Sequence, residues 1–229
     1  MPAKKRKTAS VQPRDVTRIP EEEKYVSVSS LNEEQRELIR IIHKYNLILL
    51  YGVAGSGKTH ISAGIAAQYL RNGLIDRIIV SRPVVASEEY GILKGGLDDK
   101  IEPFLSPLFD LFGKFLNIKQ AVAQKKILVL PVAFMRGWTF DNTFVIIDEA
   151  ENLTEHQLKL VLTRIGRDTK IVLNGDVTQS DLDEKHNKDY GRVINKIARI
   201  AGEDTGIATF ELTKSVRNPL IEKIIQALK

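Results

Sequence analysis

The sequence predicts an α/β fold in which a parallel β-sheet is covered by helices on both faces. Short apolar runs rich in Ile, Val and Leu alternate along the chain with longer helix-type patterns. The apolar runs are continuous, which is typical of parallel strands that are buried on both sides. The chain has 229 residues and is 43% hydrophobic, so it can bury a sizeable core.

The predicted elements follow one another in the order that a parallel sheet requires. Asn32, with Gln35 three residues later, marks the start of the first helix. Thr154 precedes a later helix as an N-cap, and Asn218 precedes the last one. The predicted strands are 46–51, 77–80, 127–130, 144–147, 170–173 and 209–212. The predicted helices are 31–44, 61–70, 107–123, 155–164, 189–201 and 219–228.

The N-terminal residues differ from the rest of the chain in charge and composition. Residues 1–20 contain six Lys or Arg residues and one acid, so they carry the whole net charge of +5. We expect a basic, disordered tail over residues 1–24 and a single domain over residues 25–229. The tail either binds nucleic acid through its phosphates or serves as a solubilising segment, and both alternatives stay open.

The loop between the first strand and the second helix fits the pattern G-x-x-x-x-G-K-[ST] from Gly52 to Thr59. Glycines let backbone N–H groups close around phosphate oxygens, and the following helix N-terminus adds a partial positive charge. Lys58 can reach the terminal phosphates, and the Thr59 hydroxyl can ligate magnesium. The loop therefore predicts a P-loop that binds ATP with Mg²⁺.

Two acids, Asp148 and Glu149, end the apolar run that begins at Phe144. A carboxylate at the C-terminal end of a strand next to the P-loop can hold magnesium, so Asp148 joins Thr59 as a predicted metal ligand. Glu149 can orient and polarise the attacking water, with Lys58 at the phosphates. The alternative is a helix N-terminus enriched in acids, which needs no metal.

Two glutamines are candidates for contacts with the nucleotide. The Gln35 amide offers a donor and an acceptor that suit the edge of adenine. Gln179, in the segment that begins at Asn174, can sense the terminal phosphate and help to position water. An exposed helix glutamine and a plain turn are the alternatives. The predicted nucleotide contacts are Gln35, Gly52, Val53, Ala54, Gly55, Ser56, Gly57, Lys58, Thr59 and His60.

These motifs occur in the order found in superfamily-one helicases, and the chain resembles the first RecA-like domain of that class. It resembles the PhoH-family P-loop ATPases more specifically, from about Asn46 to the C-terminus. The segments that carry this resemblance are 52–59, 82–84, 91–95, 100–103, 134–137, 145–152, 175–179 and 216–219. The chain departs from the usual pattern at Lys94, Glu151, Asn174 and Asn218, and none of these departures removes a phosphate or metal ligand.

The PhoH resemblance implies ATP binding and hydrolysis, and for some members a role in RNA unwinding or processing. The leading hypothesis is an ATPase that acts on RNA or single-stranded DNA. The alternative is a nucleotide-gated regulatory module that binds a protein partner without translocation. A kinase of the thymidine kinase type is disfavoured, because such enzymes typically use a cysteine zinc site and this chain has no cysteine.

The helicase resemblance also implies a role for Arg217. Superfamily-one helicases carry an L-x-x-x-x-R segment whose arginine meets the γ-phosphate, and the stretch from Leu212 to Arg217 matches that spacing. The alternative is an arginine in a surface salt bridge at a helix start. Those helicases close two RecA-like domains around ATP. Because only one such domain is expected here, we expect a homo-oligomer such as a hexamer.

Three further residues are predicted to contact nucleic acid. Arg82 follows a strand end, where ligands gather in open α/β sheets. Arg136 and Trp138 put a cation and a stacking surface on one loop. For Trp138 a buried anchor in the core is the favoured alternative. The absence of cysteine and of any apolar run long enough to span a bilayer predicts a cytoplasmic protein with no membrane contact.

Overall fold

The computed structural model describes residues 25–83, 107, 109–176, 186 and 188–216. The helices in these ranges are α1 (Glu33–Lys44), α2 (Lys58–Arg71), α3 (Ile118–Ala123), α4 (Glu155–Leu162) and α5 (Asp189–Ala198). The strands are β1 (Leu47–Gly52), β2 (Arg77–Ser81), β3 (Ile127–Val129), β4 (Thr143–Ile147), β5 (Lys170–Gly175) and β6 (Ile207–Leu212). Two 3₁₀ turns span Val132–Met135 and Ala150–Asn152.

The strands form a six-stranded sheet in the order β3-β2-β4-β5-β1-β6, and every neighbouring pair is parallel. The predicted parallel sheet is therefore confirmed. β4, the strand that leads to Asp148, is not the neighbour of β1, the strand that leads to the P-loop. β5 lies between β4 and β1, so Asn174 at the end of β5 separates the two motifs.

Alternate side chains of the strands enter two separate cores, one on each face of the sheet. Ile48 and Leu50 of β1 pack with α1 and α2 in the first core. Leu47 and Leu49 pack with α4 and α5 in the second core. Because both faces are covered, the inner strands carry continuous runs of buried apolar residues, such as Leu47 to Leu50 and Phe144 to Ile147, as the sequence predicts.

The capping signals fix the starts of two helices. The Asn32 side chain accepts a hydrogen bond from the Gln35 N–H at 2.9 Å, so α1 begins at Glu33 rather than Leu31. Thr154 forms a complete capping box at the start of α4.

The predicted helix 107–123 is wrong as a single element. The chain is helical over 109–113 and turns before α3, where Asn117 acts as a new N-cap. This turn lets Phe112 and Phe115 both enter the first core. The predicted helix 219–228 lies outside the described residues.

None of the helices that the structure describes is both long and apolar enough to cross a membrane.

Candidate nucleotide site

A cavity of about 340 Å³ lies at the carboxyl edge of the sheet, where ligands bind in open α/β folds. The P-loop from Ala54 to His60 forms one wall. The ends of three other strands contribute Arg82 after β2, Asp148 and Glu149 after β4, and residues 174–176 at the end of β5. The topology thus brings together residues that lie far apart in the sequence.

Glycines give the P-loop a conformation that other residues disfavour. Gly55 and Gly57 have positive φ angles of 76° and 93°. A Cβ atom at Gly57 would lie 2.6 Å from Nε2 of Gln35, and one at Gly52 would lie 2.1 Å from the carbonyl oxygen of Leu212. The loop therefore depends on glycine for both its backbone angles and its close packing.

Lys58 is the cation of the P-loop and is half-buried. Its Nζ donates to the carbonyl oxygens of Gly52 and Val53, at 2.5 Å and 3.2 Å. These bonds keep the ammonium group at the mouth of the loop. The same donors can be offered to phosphate oxygens after a small change of rotamer.

Thr59 and Asp148, the two predicted metal ligands, are in direct contact. The Thr59 hydroxyl donates to Oδ1 of Asp148 at 2.6 Å. The backbone of Asp148 is fixed by its own N–H, which donates to the Ser81 carbonyl oxygen at 2.8 Å. Hydroxyl and carboxylate oxygens are the ligands that Mg²⁺ prefers, so this pair fits a magnesium ion shared with nucleotide phosphates.

Glu149 adopts an unusual backbone conformation and forms an ion pair with Arg82. Its φ and ψ angles are 52° and 44°, in the left-handed region that disfavours non-glycine residues. The Arg82 guanidinium contacts Oε1 of Glu149, and the two side chains are 33% and 37% exposed. Arg82, which the sequence predicts as a nucleic-acid contact, therefore contacts Glu149, the predicted general base, and both residues line the cavity.

Gln35 supports the P-loop from behind and is only 2% exposed. Its Nε2 donates to the Ser56 carbonyl oxygen at 2.9 Å, and its Oε1 accepts from the Leu31 N–H at 2.7 Å. The alternative of an exposed helix glutamine is thus wrong. Adenine recognition by Gln35 stays a prediction, and in this structure both ends of its amide bind protein backbone.

Glu151 lines the cavity and Tyr190 lies beneath it, and sequence reasoning did not assign either residue a role there. Burial raises the pKa of Glu151 to about 7, although backbone N–H groups and the Lys58 charge oppose that shift. Tyr190 is 1% exposed and lies directly beneath Gly175, where a Cβ would come within 2.4 Å of its ring. The glycine of the Asn174-Gly175-Asp176 turn was the available signal for that contact.

Two further residues of the cavity are bound to the core. The Asn174 side chain accepts from the Ser62 hydroxyl at 3.1 Å, which connects β5 to α2. The His60 ring packs against Phe115 with a centroid distance of 5.1 Å. Burial, and then the Lys114 charge, lowers the pKa of His60. His60 lines the cavity with its ring on the core side, and its contact with the nucleotide stays a prediction.

Two predicted catalytic residues, Gln179 and Arg217, lie outside the described residues. The chain leading to Arg217 does approach the P-loop, because the Val216 N–H donates to the Gly55 carbonyl oxygen at 3.0 Å. Just before it, Thr213 donates through both its N–H and its hydroxyl to the Glu34 carboxylate.

The loop after β3 carries the other predicted nucleic-acid contacts. Arg136 is exposed, whereas Trp138 is half-buried and packs against the core beneath α4 and α5. That packing is what the alternative of a core anchor predicts for Trp138. Phe134, on the same loop, is 52% exposed, and sequence reasoning did not single it out. The exposed residues Phe134 and Arg136 are thus two positions apart on this loop.

The parallel sheet, the P-loop after β1 and the Thr59–Asp148 pair define a P-loop NTPase with a RecA-like α/β core. A solved structure with a similar fold is the large terminase from a thermophilic bacteriophage. Its TM-score is 0.50 at 11% sequence identity, over 88% of this chain and 51% of that one. At this level of identity the similarity concerns the fold alone.

The family assignment comes from the sequence. The family model described as "PhoH-like protein" matches residues 27–229, and the chain belongs to the PhoH family. A PhoH-like protein of Synechocystis is 41% identical over 200 residues, covering 84% of this chain and 60% of its own length. Protein PhoH of Escherichia coli K12 is 36% identical, covering 86% of this chain and 56% of its own length. The chain thus spans somewhat over half the length of these relatives.

Proposed function

We propose that this chain binds ATP with magnesium in the cavity beside the P-loop, hydrolyses it, and couples hydrolysis to RNA or single-stranded DNA. The observation that carries the proposal is the contact between Thr59 and Asp148, with Glu149 next in sequence. This contact places the proposed metal ligands Thr59 and Asp148 beside the P-loop, and Glu149 supplies a second carboxyl group in the same cavity. A protein that only binds nucleotide has no need of that second acid.

The roles of the residues follow from their positions. Backbone N–H groups of the P-loop and the Lys58 ammonium bind the terminal phosphates. Thr59 and Asp148 hold the metal, and magnesium, when bound, neutralises charge on the phosphate oxygens. Glu149 accepts a proton from the attacking water as the water oxygen bonds to the γ-phosphorus. The bond from the γ-phosphorus to the bridging oxygen breaks, and ADP leaves with that oxygen.

Arg217 and Gln179 complete the proposed site. An arginine that reaches the transferred phosphoryl group offsets its charge and raises the rate by about 10³ to 10⁵. The bond between Val216 and Gly55 supports this role for Arg217, because it brings the preceding residue to the P-loop. Gln179 follows the cavity residue Asp176 closely in sequence, which supports a role in positioning water.

We further propose that the nucleic acid crosses the loop after β3 and that the active form is a homo-oligomer. Exposed Phe134 and Arg136 offer a stacking surface and a phosphate contact, which are the two interactions that bind single strands. A second wall for the nucleotide would come from a neighbouring protomer, and Arg217 acts either within its own chain or across that interface.

The test is ATP turnover by the purified chain with and without RNA and DNA single strands, run beside a mass measurement in solution. Turnover that rises with a single strand supports the coupled ATPase. ATP binding with turnover that no strand changes favours the alternative, a nucleotide-gated module that binds a protein partner. Absence of both binding and turnover would contradict the proposed function.

A further inference from the structure

The ends of β2 and β4 place Arg82 and Glu149 beside each other at the carboxyl edge of the sheet. The two strands are neighbours, with Ser81 opposite Ile147. The Asp148 N–H donates to the Ser81 carbonyl oxygen at 2.8 Å, so the pairing continues up to the cavity. The proximity of Arg82 to Glu149 is therefore a property of the sheet rather than of a loop.

The backbone of Glu149 is held in one conformation. Its left-handed conformation is held on the C-terminal side by the 3₁₀ turn, where the Asn152 N–H donates to the Glu149 carbonyl oxygen at 3.0 Å. A strained residue of this kind persists when its surroundings determine its conformation. The remaining freedom is in the side-chain torsions, and the contact with Arg82 fixes the position of Oε1.

This contact opposes the proposed task of Glu149. The guanidinium contacts Oε1 and so sets the direction in which the carboxylate faces, and a base must face the water molecule whose proton it accepts. In the structure as it stands, Arg82 therefore restrains the residue that the proposed chemistry needs.

We propose that Arg82 couples the nucleic-acid surface to hydrolysis: a backbone phosphate of a bound single strand takes its guanidinium and releases Glu149. This inference rests on the proposed function and adds a way in which the bound nucleic acid controls ATP hydrolysis. Arg82 is a positioning residue, because it acts through Glu149.

Phosphate is a suitable competitor for this arginine. The guanidinium fork binds phosphate in a bidentate manner, and an ion pair about one-third exposed contributes little net stability. In the sheet order β3-β2-β4, the loop with Phe134 and Arg136 follows β3, on the side of β2 away from Glu149. A nucleic-acid strand that binds both Arg136 and Arg82 would run from the loop after β3 across the end of β2.

The γ-phosphate of ATP is a second phosphate group that can bind the Arg82 guanidinium. The experiment therefore distinguishes a phosphate of the nucleic acid from a phosphate of ATP. Steady-state ATP hydrolysis is measured over a range of ATP concentrations, alone and with an unstructured oligouridylate or oligothymidylate. The unaltered chain is compared with Arg82→Ala, Arg82→Lys and the matched control Arg77→Ala. Arg77 is an exposed arginine at the opposite end of the same strand. Circular dichroism confirms that each variant is folded.

We expect Arg82→Ala to raise the strand-free kcat to the strand-stimulated kcat of the unaltered chain, with KM for ATP unchanged. Its own stimulation by either oligonucleotide falls to none. Arg82→Lys, which keeps the charge but not the planar fork, is expected to give a strand-free kcat between those of the unaltered chain and Arg82→Ala. Arg77→Ala is expected to keep both the strand-free rate and the stimulation.

Several results would overturn the proposal. One is a strand-free kcat in Arg82→Ala that is unchanged or lower, and another is an equal rise in Arg82→Lys or Arg77→Ala. A further contradicting result is a kcat of the unaltered chain with ATP alone that equals the kcat of Arg82→Ala and does not change when an oligonucleotide is added. The γ-phosphate of ATP would then be the group that binds Arg82, and a role for the nucleic-acid strand would be excluded. No turnover in any chain under any condition would instead contradict the proposed function, and this inference with it.

Discussion

The Thr59 hydroxyl donates a hydrogen bond to Oδ1 of Asp148 at 2.6 Å, although β5 separates the strands that lead to these two residues. The bond connects the second residue of α2 to the residue that follows β4. Two residues predicted as magnesium ligands are thus in contact across an intervening strand. The sheet order, rather than the sequence, brings them together.

Removing either member of this pair is expected to weaken magnesium-dependent ATP binding. Thr59→Ala and Asp148→Ala each remove one oxygen ligand, whereas Thr59→Ser keeps the hydroxyl and should behave like the unaltered chain. Titration with a fluorescent ATP analogue, with magnesium and with EDTA, measures the effect. If ATP binding by Asp148→Ala still depends on magnesium as it does in the unaltered chain, Asp148 is not a metal ligand.

Lys58→Ala is expected to abolish ATP hydrolysis, because the P-loop loses its side-chain cation at the terminal phosphates. The lost hydrogen bonds to Gly52 and Val53 should cost only about 1 kcal/mol of stability. Turnover and denaturant unfolding are measured together, with exposed Lys119→Ala as the control. Hydrolysis by Lys58→Ala at the rate of the unaltered chain would exclude this loop as the active site.

Gln35→Ala is expected to lower stability by about 1–3 kcal/mol, because it removes the partner of the buried Ser56 carbonyl and the partner of the part-buried Leu31 N–H. If Gln35 acts by supporting the P-loop, the affinities for ATP and GTP fall by the same factor. A loss confined to ATP would show instead that Gln35 recognises adenine. Exposed Gln124→Ala is the matched control.

Glu151 is expected to make stability depend on pH. Burial raises its pKa from 4.5 to about 7, against the Lys58 charge and with the help of Asp176. Below pH 4.5 the carboxyl is protonated in both states, and between 4.5 and about 7 only the folded state keeps the proton. Stability therefore falls as pH rises through that window, by at most about 3 kcal/mol.

Glu151→Gln carries no titratable group and should lose this part of the pH dependence. Unfolding free energies at about pH 5 and about pH 8 for both chains give the comparison. The gain from the substitution should appear at the higher pH. An equal gain at both values would mean that the Glu151 carboxyl does not titrate in the window.

Local signals in the sequence predicted the parts of the molecule that depend on short stretches. The P-loop, the acids after β4 and the caps Asn32 and Thr154 are set by residues close together in the chain. The strands were predicted for the same reason, since parallel strands buried on both faces must be apolar throughout.

Contacts between distant segments could not be predicted in this way. The burial of Gln35 depends on the packing of α1 behind the P-loop, and the contact of Arg82 with Glu149 depends on the order of strands in the sheet. The turn before Asn117 was missed because helix propensity depends on neighbouring residues alone. The packing of both Phe112 and Phe115 in the first core depends on residues far away in the sequence.

The most direct test compares the unaltered chain with Glu149→Gln, using exposed Glu211→Gln as the control. ATP–magnesium affinity and single-turnover hydrolysis are measured on the same preparations. Glu149→Gln is expected to bind with the affinity of the unaltered chain and to hydrolyse about a hundredfold or more slowly, because the amide cannot accept the proton of water. Hydrolysis by Glu149→Gln at the rate of the unaltered chain would contradict the assignment of this cavity as an ATPase site with Glu149 as its base.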